Sequence, residues 1–137
     1  MNIYNYKLYI FDLDGVIINS EELHYKCYKK AIEMGTILDN TKHQLLNEKM
    51  FTYEKYFEIN HSIDSDLSFK TLLGENYDEI YRKKKEYYYE NINNIQLING
   101  IEVFINTLIT KYKTLCLVTD SSKKTLDLII NRFPILN

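Results

Sequence analysis

The residues whose types and spacing are best suited to chemistry are Asp12 and Asp14, in the run Asp-Leu-Asp-Gly at 12–15. Side chains two apart on an extended backbone point the same way, so the two carboxylates can converge on one site. Close carboxylates repel unless a proton or a cation lies between them, and hard oxygen ligands of this kind suggest Mg²⁺. Gly15 supplies the freedom to leave the strand sharply. An Asp-x-Asp triplet arises by chance in about one chain in three of this length, most often as a solvated turn. The surroundings distinguish this one. Lys-Leu-Tyr-Ile-Phe at 7–11 is near-continuously apolar, the pattern of a strand buried on both faces. Open α/β sheets bind ligands beyond the carboxyl ends of their strands, where both acids would lie.

A matching place occurs late in the chain. Thr-Leu-Cys-Leu-Val-Thr at 114–119 reads as a second buried strand, and Asp120-Ser121-Ser122 turn the chain into a helix running to Ile130. Amides at such a helix N-terminus can receive a phosphate. Alone, Thr119 is an ordinary strand end and Ser121 or Ser122 a plain helix cap. Beside the acid pair, they read as the other half of one site.

The elements that must position these residues follow from periodicity. Ser20-Glu-Glu-Leu opens a helix with a side-chain cap and two acids in its positive first turn. Leu23, Cys27, Ala31 and Met34 recur at helical spacing, and Gly35 is placed to end that helix. Residues 41–92 stay helical in pattern, with candidate helices at 44–57, 67–73 and 77–92 and turn chemistry at 60–66 and 74–76. Polar breaks at 91–94 and at Asn99-Gly100 precede a stripe of Ile101, Phe104, Ile105, Leu108 and Ile109. Strand, long helical insert, helix, strand, helix is the outline of an α/β core interrupted by a helical module. The boundaries read as core at 1–15, helical insert at 16–93 and core again at 94–137.

Composition sets the outer limits. The chain has 137 residues, 45% hydrophobic and 26% charged, with a net charge of −2, which suits a globular domain and excludes a disordered or collagen-like chain. No apolar run approaches the ~18–20 residues that span a bilayer. The N-terminus has no basic region followed by an apolar stretch, so no secretory signal is expected. Two cysteines, Cys27 and Cys116, make neither a disulfide framework nor a metal-ligand spacing; both read as core, and the chain as a reduced cytoplasmic protein. His24, His43 and His61 share no ligand spacing. Mild acidity argues against nucleic acid, and the basic run at 82–85 is flanked by Asp78, Glu79, Glu86 and Glu90, as on a solvated helix face. The 13 tyrosines accompany abundant Ile, Asn and Lys, all with A/T-rich codons, and read as genomic bias rather than as a recognition surface.

Residues 9–21, Tyr-Ile-Phe-Asp-Leu-Asp-Gly-Val-Ile-Ile-Asn-Ser-Glu, resemble the first motif of the haloacid dehalogenase (HAD) superfamily. The resemblance is to the β-phosphoglucomutase and phosphoglycolate phosphatase branch, whose helical cap is inserted directly after that motif. Leu-Cys-Leu-Val-Thr-Asp-Ser-Ser at 115–122 resembles the second motif, and Asn99-Gly100-Ile101 stands where the branch usually has Pro-Gly-Val. The resemblance implies a Rossmann-like HAD core, its parallel sheet incomplete in this chain, with residues 16–93 as an inserted cap.

It also implies a mechanism. Asp12 would attack phosphorus and form an aspartyl-phosphate; Asp14 would protonate the leaving oxygen and then activate water. Mg²⁺ would be held by the Asp12 carboxylate and the Asp14 carbonyl oxygen. Thr119 and the Asp120 amide would hold phosphoryl oxygens, and the cap would close to exclude water. The expected substrate is a small phosphorylated metabolite, with neither nucleic acid nor membrane as a partner. A phosphosugar mutase, or a non-catalytic HAD-like remnant or binding module, are the alternatives.

The chain departs from the branch in three ways. Asn19 stands where Asp is usual, in the hinge into the cap. No cap substrate motif follows Gly35, so the substrate is not named. The Lys of the third motif and the acids of the fourth cannot be placed; Lys123 and Lys124 follow the second motif too closely and read as exposed helix residues. With two strands legible, open sheet edges invite self-association.

Overall fold

The structure, a computed structural model, describes residues 2–38 and 51–137. Strand β1 is Leu8–Phe11, followed by helices α1 (Glu21–Leu38), α2 (Tyr53–Asn60), α3 (Ser65–Leu73), α4 (Tyr77–Asn91) and α5 (Ile101–Thr110), strand β2 (Thr114–Leu117) and helix α6 (Lys123–Arg132). The chain divides into two compact units, Met1–Glu21 with Ile92–Asn137, and Glu22–Asn91. The first unit takes in residues 16–21 and 92–93, where the chain leaves it and returns. The outgoing and returning segments run antiparallel, with the Asn19 amide donating to Gln96 O at 2.9 Å and the Ile98 amide to Ile17 O at 2.8 Å.

In the first unit β1 and β2 pair in parallel, with Leu8 opposite Thr114 and Phe11 opposite Leu117. Helix α5 covers one face: Phe104 meets Tyr9 and Phe11 edge-on, with ring centroids 6.3 and 6.1 Å away. The expectation of strands buried on both faces is not met. Leu8 and Ile10 are 51% and 63% exposed, since nothing among the described residues covers their side of the sheet. The core lies instead behind the loop after β1, where Leu13, Ile17, Ile18, Ile95, Ile105, Leu108 and Ile129 are buried. Ile109, at the edge of the α5 stripe, is exposed.

The helical unit is held by aromatic packing. Tyr28 and Ile32 of α1, Tyr56 of α2, Phe69 of α3 and Tyr77 and Ile80 of α4 form one buried cluster. Tyr28 stacks on Phe69 at 4.4 Å, and burial pushes the Tyr28 hydroxyl well above its ordinary pKa. Whatever supplied them, Tyr28, Tyr56 and Tyr77 serve here as core residues. Helix α1 runs through Gly35 to Leu38 instead of ending there: Gly35 keeps a helical backbone, and a Cβ at that position would lie 3.9 Å from Ile80. Thr52 caps α2 through a bond from the Lys55 amide, so α2 begins at Tyr53; the earlier part of the candidate helix at 44–57 lies largely outside the described residues, as does His43. On α4 the basic run is paired along the helix, Lys83 with Glu79 at 2.8 Å and Arg82 with Glu86 at 2.6 Å. Among the described residues no helix is long and apolar enough to cross a membrane.

The two thiols part company. Cys27 is buried on α1, and desolvation raises its pKa; Cys116 is exposed on the uncovered face of β2, contrary to its reading as core. A thiol-specific reagent is therefore expected to modify Cys116 rapidly in the native protein and Cys27 only after unfolding, as peptide mapping of the labelled chain checks. Equal labelling of both under native conditions would contradict this packing.

Candidate active site

The site is built from the two strand ends. The Val118 amide donates to Phe11 O at 2.8 Å, extending the parallel ladder by one step, so Asp12 and Thr119 emerge side by side beyond it. Asp12 is exposed, and its Oδ1 accepts the Leu13 amide at 2.6 Å. The next residues form a tight turn around a buried anchor. Leu13 has no exposed surface, and its carbonyl receives the amides of Val16, Ile17 and Ile18. Gly15 takes a positive φ of 74° within this turn, which a side chain would strain. The turn leaves Asp14 half-buried and facing two hydroxyls. Ser20, with no exposed surface, donates to Asp14 Oδ1, and Ser121 donates to Oδ2 at 2.9 Å.

The loop after β2 completes the arrangement. Thr119 Oγ1 accepts the Ser121 amide at 3.1 Å, a local turn that aims the Ser121 hydroxyl at Asp14. Accepting that bond leaves the Thr119 hydroxyl proton available as a donor. The Asp120 amide has no backbone partner among the described residues. Ser122 is the cap of α6, accepting the Thr125 amide at 3.3 Å. Lys123 and Lys124 are exposed in the first turn of that helix.

The four residues singled out in the sequence thus stand at adjoining strand ends, Asp12 and Asp14 beyond β1, Thr119 and Asp120 beyond β2. Sequence reasoning missed the hydroxyls that link them. Ser20 reads as a helix cap and Ser121 as an alternative cap, yet both bond Asp14. The Ser121 partner lies 107 positions away, so no local pattern could reveal it. Among the described residues, no group of three or more His, Cys, Asp or Glu side chains is placed to hold a metal.

Comparison with known proteins places this geometry. The haloacid dehalogenase-like hydrolase family matches residues 9–137. No curated protein matches the chain. Among solved structures, a protein assigned as a phosphatase from Clostridium difficile superposes with a TM-score of 0.68 at 17% identity, covering 95% of this chain and 56% of its own. A predicted phosphoglycolate phosphatase from Haemophilus somnus gives 0.66 at 19%, covering 98% and 60%. A protein assigned as β-phosphoglucomutase from Thermotoga maritima gives 0.60 at 17%, covering 96% and 57%. At these identities the likeness is one of fold, and the chain spans little more than half the length of these structures. With a family match over residues 9–137, nearly its whole length, the chain belongs to the haloacid dehalogenase-like hydrolases.

Proposed function

We propose that the chain is a Mg²⁺-dependent phosphohydrolase acting on a small phosphorylated metabolite through an aspartyl-phosphate intermediate. The observation that supports this most directly is the placement of Asp12 and Asp14 beyond β1, tied through the Ser121 hydroxyl to the Thr119 loop beyond β2. Exposed Asp12 is the nucleophile: one of its oxygens bonds phosphorus as the ester P–O bond breaks. Asp14, held off Asp12 by the turn, gives a proton to the departing oxygen. It then takes one from the water that attacks phosphorus, which restores the Asp12 carboxylate and releases inorganic phosphate. The Thr119 hydroxyl and the Asp120 amide donate to the phosphoryl oxygens that do not transfer.

The donor set fits Mg²⁺, which is commonly bound through one or two carboxylates together with substrate phosphate and water. The Asp12 carboxylate and the Asp14 carbonyl oxygen would hold it. When bound, the ion neutralises charge on the phosphoryl group in transfer.

The test is phosphate release from a panel of small phosphoesters with and without Mg²⁺. Turnover that falls at least ~10-fold on chelation and returns with Mg²⁺ supports the reading. Absence of release in folded chain, at any metal concentration, overturns it. A mutase would use the same acid pair and return the phosphoryl group to the substrate. Labelled phosphate appearing on isomerised sugar instead of in water would select that reading.

A further inference from the structure

We infer that Ser121 is a positioning residue for Asp14: its hydroxyl holds the carboxylate at the angle from which the leaving oxygen is protonated. The inference rests on the phosphohydrolase reading and adds to it a residue outside the acid pair and the phosphate donors.

The geometry is specific. Asp14 has both carboxylate oxygens engaged by hydroxyls from different parts of the chain, Oδ1 by Ser20 and Oδ2 by Ser121 at 2.9 Å. Ser20 is sequestered, with no exposed surface, and lies six residues beyond Asp14 on the same connection. Ser121 belongs to the other strand end. Its position is set by the Thr119 turn, in which its own amide is bonded to Thr119 Oγ1 at 3.1 Å. One short segment therefore presents the proposed phosphate donor Thr119 and, two residues later, the hydroxyl that fixes the proposed acid. The cap role is already filled by Ser122, which leaves the Ser121 side chain to this contact.

A carboxyl group that protonates an alcohol must be held within a narrow range of angle and distance, and a second anchor from an independent element narrows it further. The consequence is selective. A poor leaving group, such as the alkoxide of a sugar or glycerol phosphate, needs the proton as its bond to phosphorus breaks. A 4-nitrophenolate hardly needs it. Loss of the anchor slows departure of the first kind and spares the second, whereas a general loosening of the site slows both.

The experiment is single-turnover release of alcohol from an alkyl phosphate and of phenol from 4-nitrophenyl phosphate, with Mg²⁺, for the parent chain and three variants. Ser121→Ala is expected to slow alkyl release ~10-fold while phenol release stays within about twofold and ester affinity is unchanged. Ser121→Thr, which keeps the hydroxyl, recovers most of the alkyl rate. Ser121→Cys, similar in shape and a weak donor, is run alongside so that poor folding of the alanine variant cannot mask the effect. If both esters slow by the same factor, or neither slows, the inference is overturned and the phosphohydrolase reading stands. If the folded parent releases neither product, that reading fails and takes the inference with it.

Discussion

Asp12→Asn is expected to abolish Mg²⁺-dependent phosphate release, by at least ~10³-fold, while leaving the fold intact. The amide keeps the shape of the carboxylate but cannot form the acyl phosphate, and the residue that remains has no other route to phosphorus. Structural cost is small because Asp12 is exposed and its bond from the Leu13 amide can be accepted equally by the amide oxygen. Two measurements check it: phosphate release, and acid-quench trapping of phosphorylated protein, which should be found in the parent and absent from the variant. Residual turnover near that of the parent would remove Asp12 from the chemistry. The same variant separates an enzyme from a binding module, since a chain that only binds phosphoesters has no turnover for the substitution to remove.

The largest effect on stability is expected from Phe69→Ala, at about 3–5 kcal/mol. Phe69 is buried at 4% exposure and stacks face to face on Tyr28, with planes 8° apart and centroids 4.4 Å apart; Tyr56 lies on another side at 6.2 Å. Removing the ring deletes its apolar burial and opens a cavity between three helices. It also loses a stacked pair worth about 0.5–1.5 kcal/mol beyond area. Typical domains are stable by only about 5–15 kcal/mol, so the helical unit should lose much of its margin. Urea unfolding followed by the helical circular dichroism signal measures this. A shift below about 1 kcal/mol would mean that the aromatic cluster is not the core of this unit. Tyr28→Phe is the control: the stack stays, only the hydroxyl goes, and the loss should be a small fraction of that from Phe69→Ala.

Much of this was legible in the order of residues. Apolar runs ending in Asp12 and at Thr119 place the strands because a strand needs only a short stretch of bulky side chains, which local composition reveals. The acid pair and its glycine are visible because their meaning is local: spacing of two on an extended chain, then a residue free to turn. Ser122, Thr52 and the α4 ion pairs are likewise local, each bonding within four positions. What the sequence by itself determined, then, was the α/β order of elements, the four candidate residues at two strand ends, and the family to which those motifs belong.

The tertiary structure decided everything that depends on distant partners. Gly35 has the composition of a helix end, but the helix runs past it to Leu38, with Gly35 in an ordinary helical conformation that any residue can adopt. The strands read as buried on both faces because hydrophobicity reports a preference for burial; whether a covering element exists for Leu8, Ile10 and Cys116 is set by the rest of the fold. Tyrosine counts could not separate codon bias from a core, since burial is conferred by neighbours on other helices. Ser121 is the clearest instance: its one-residue difference from the true cap, Ser122, is invisible locally. Its bond to Asp14 exists only because the parallel ladder brings two strand ends, more than a hundred positions apart, into register.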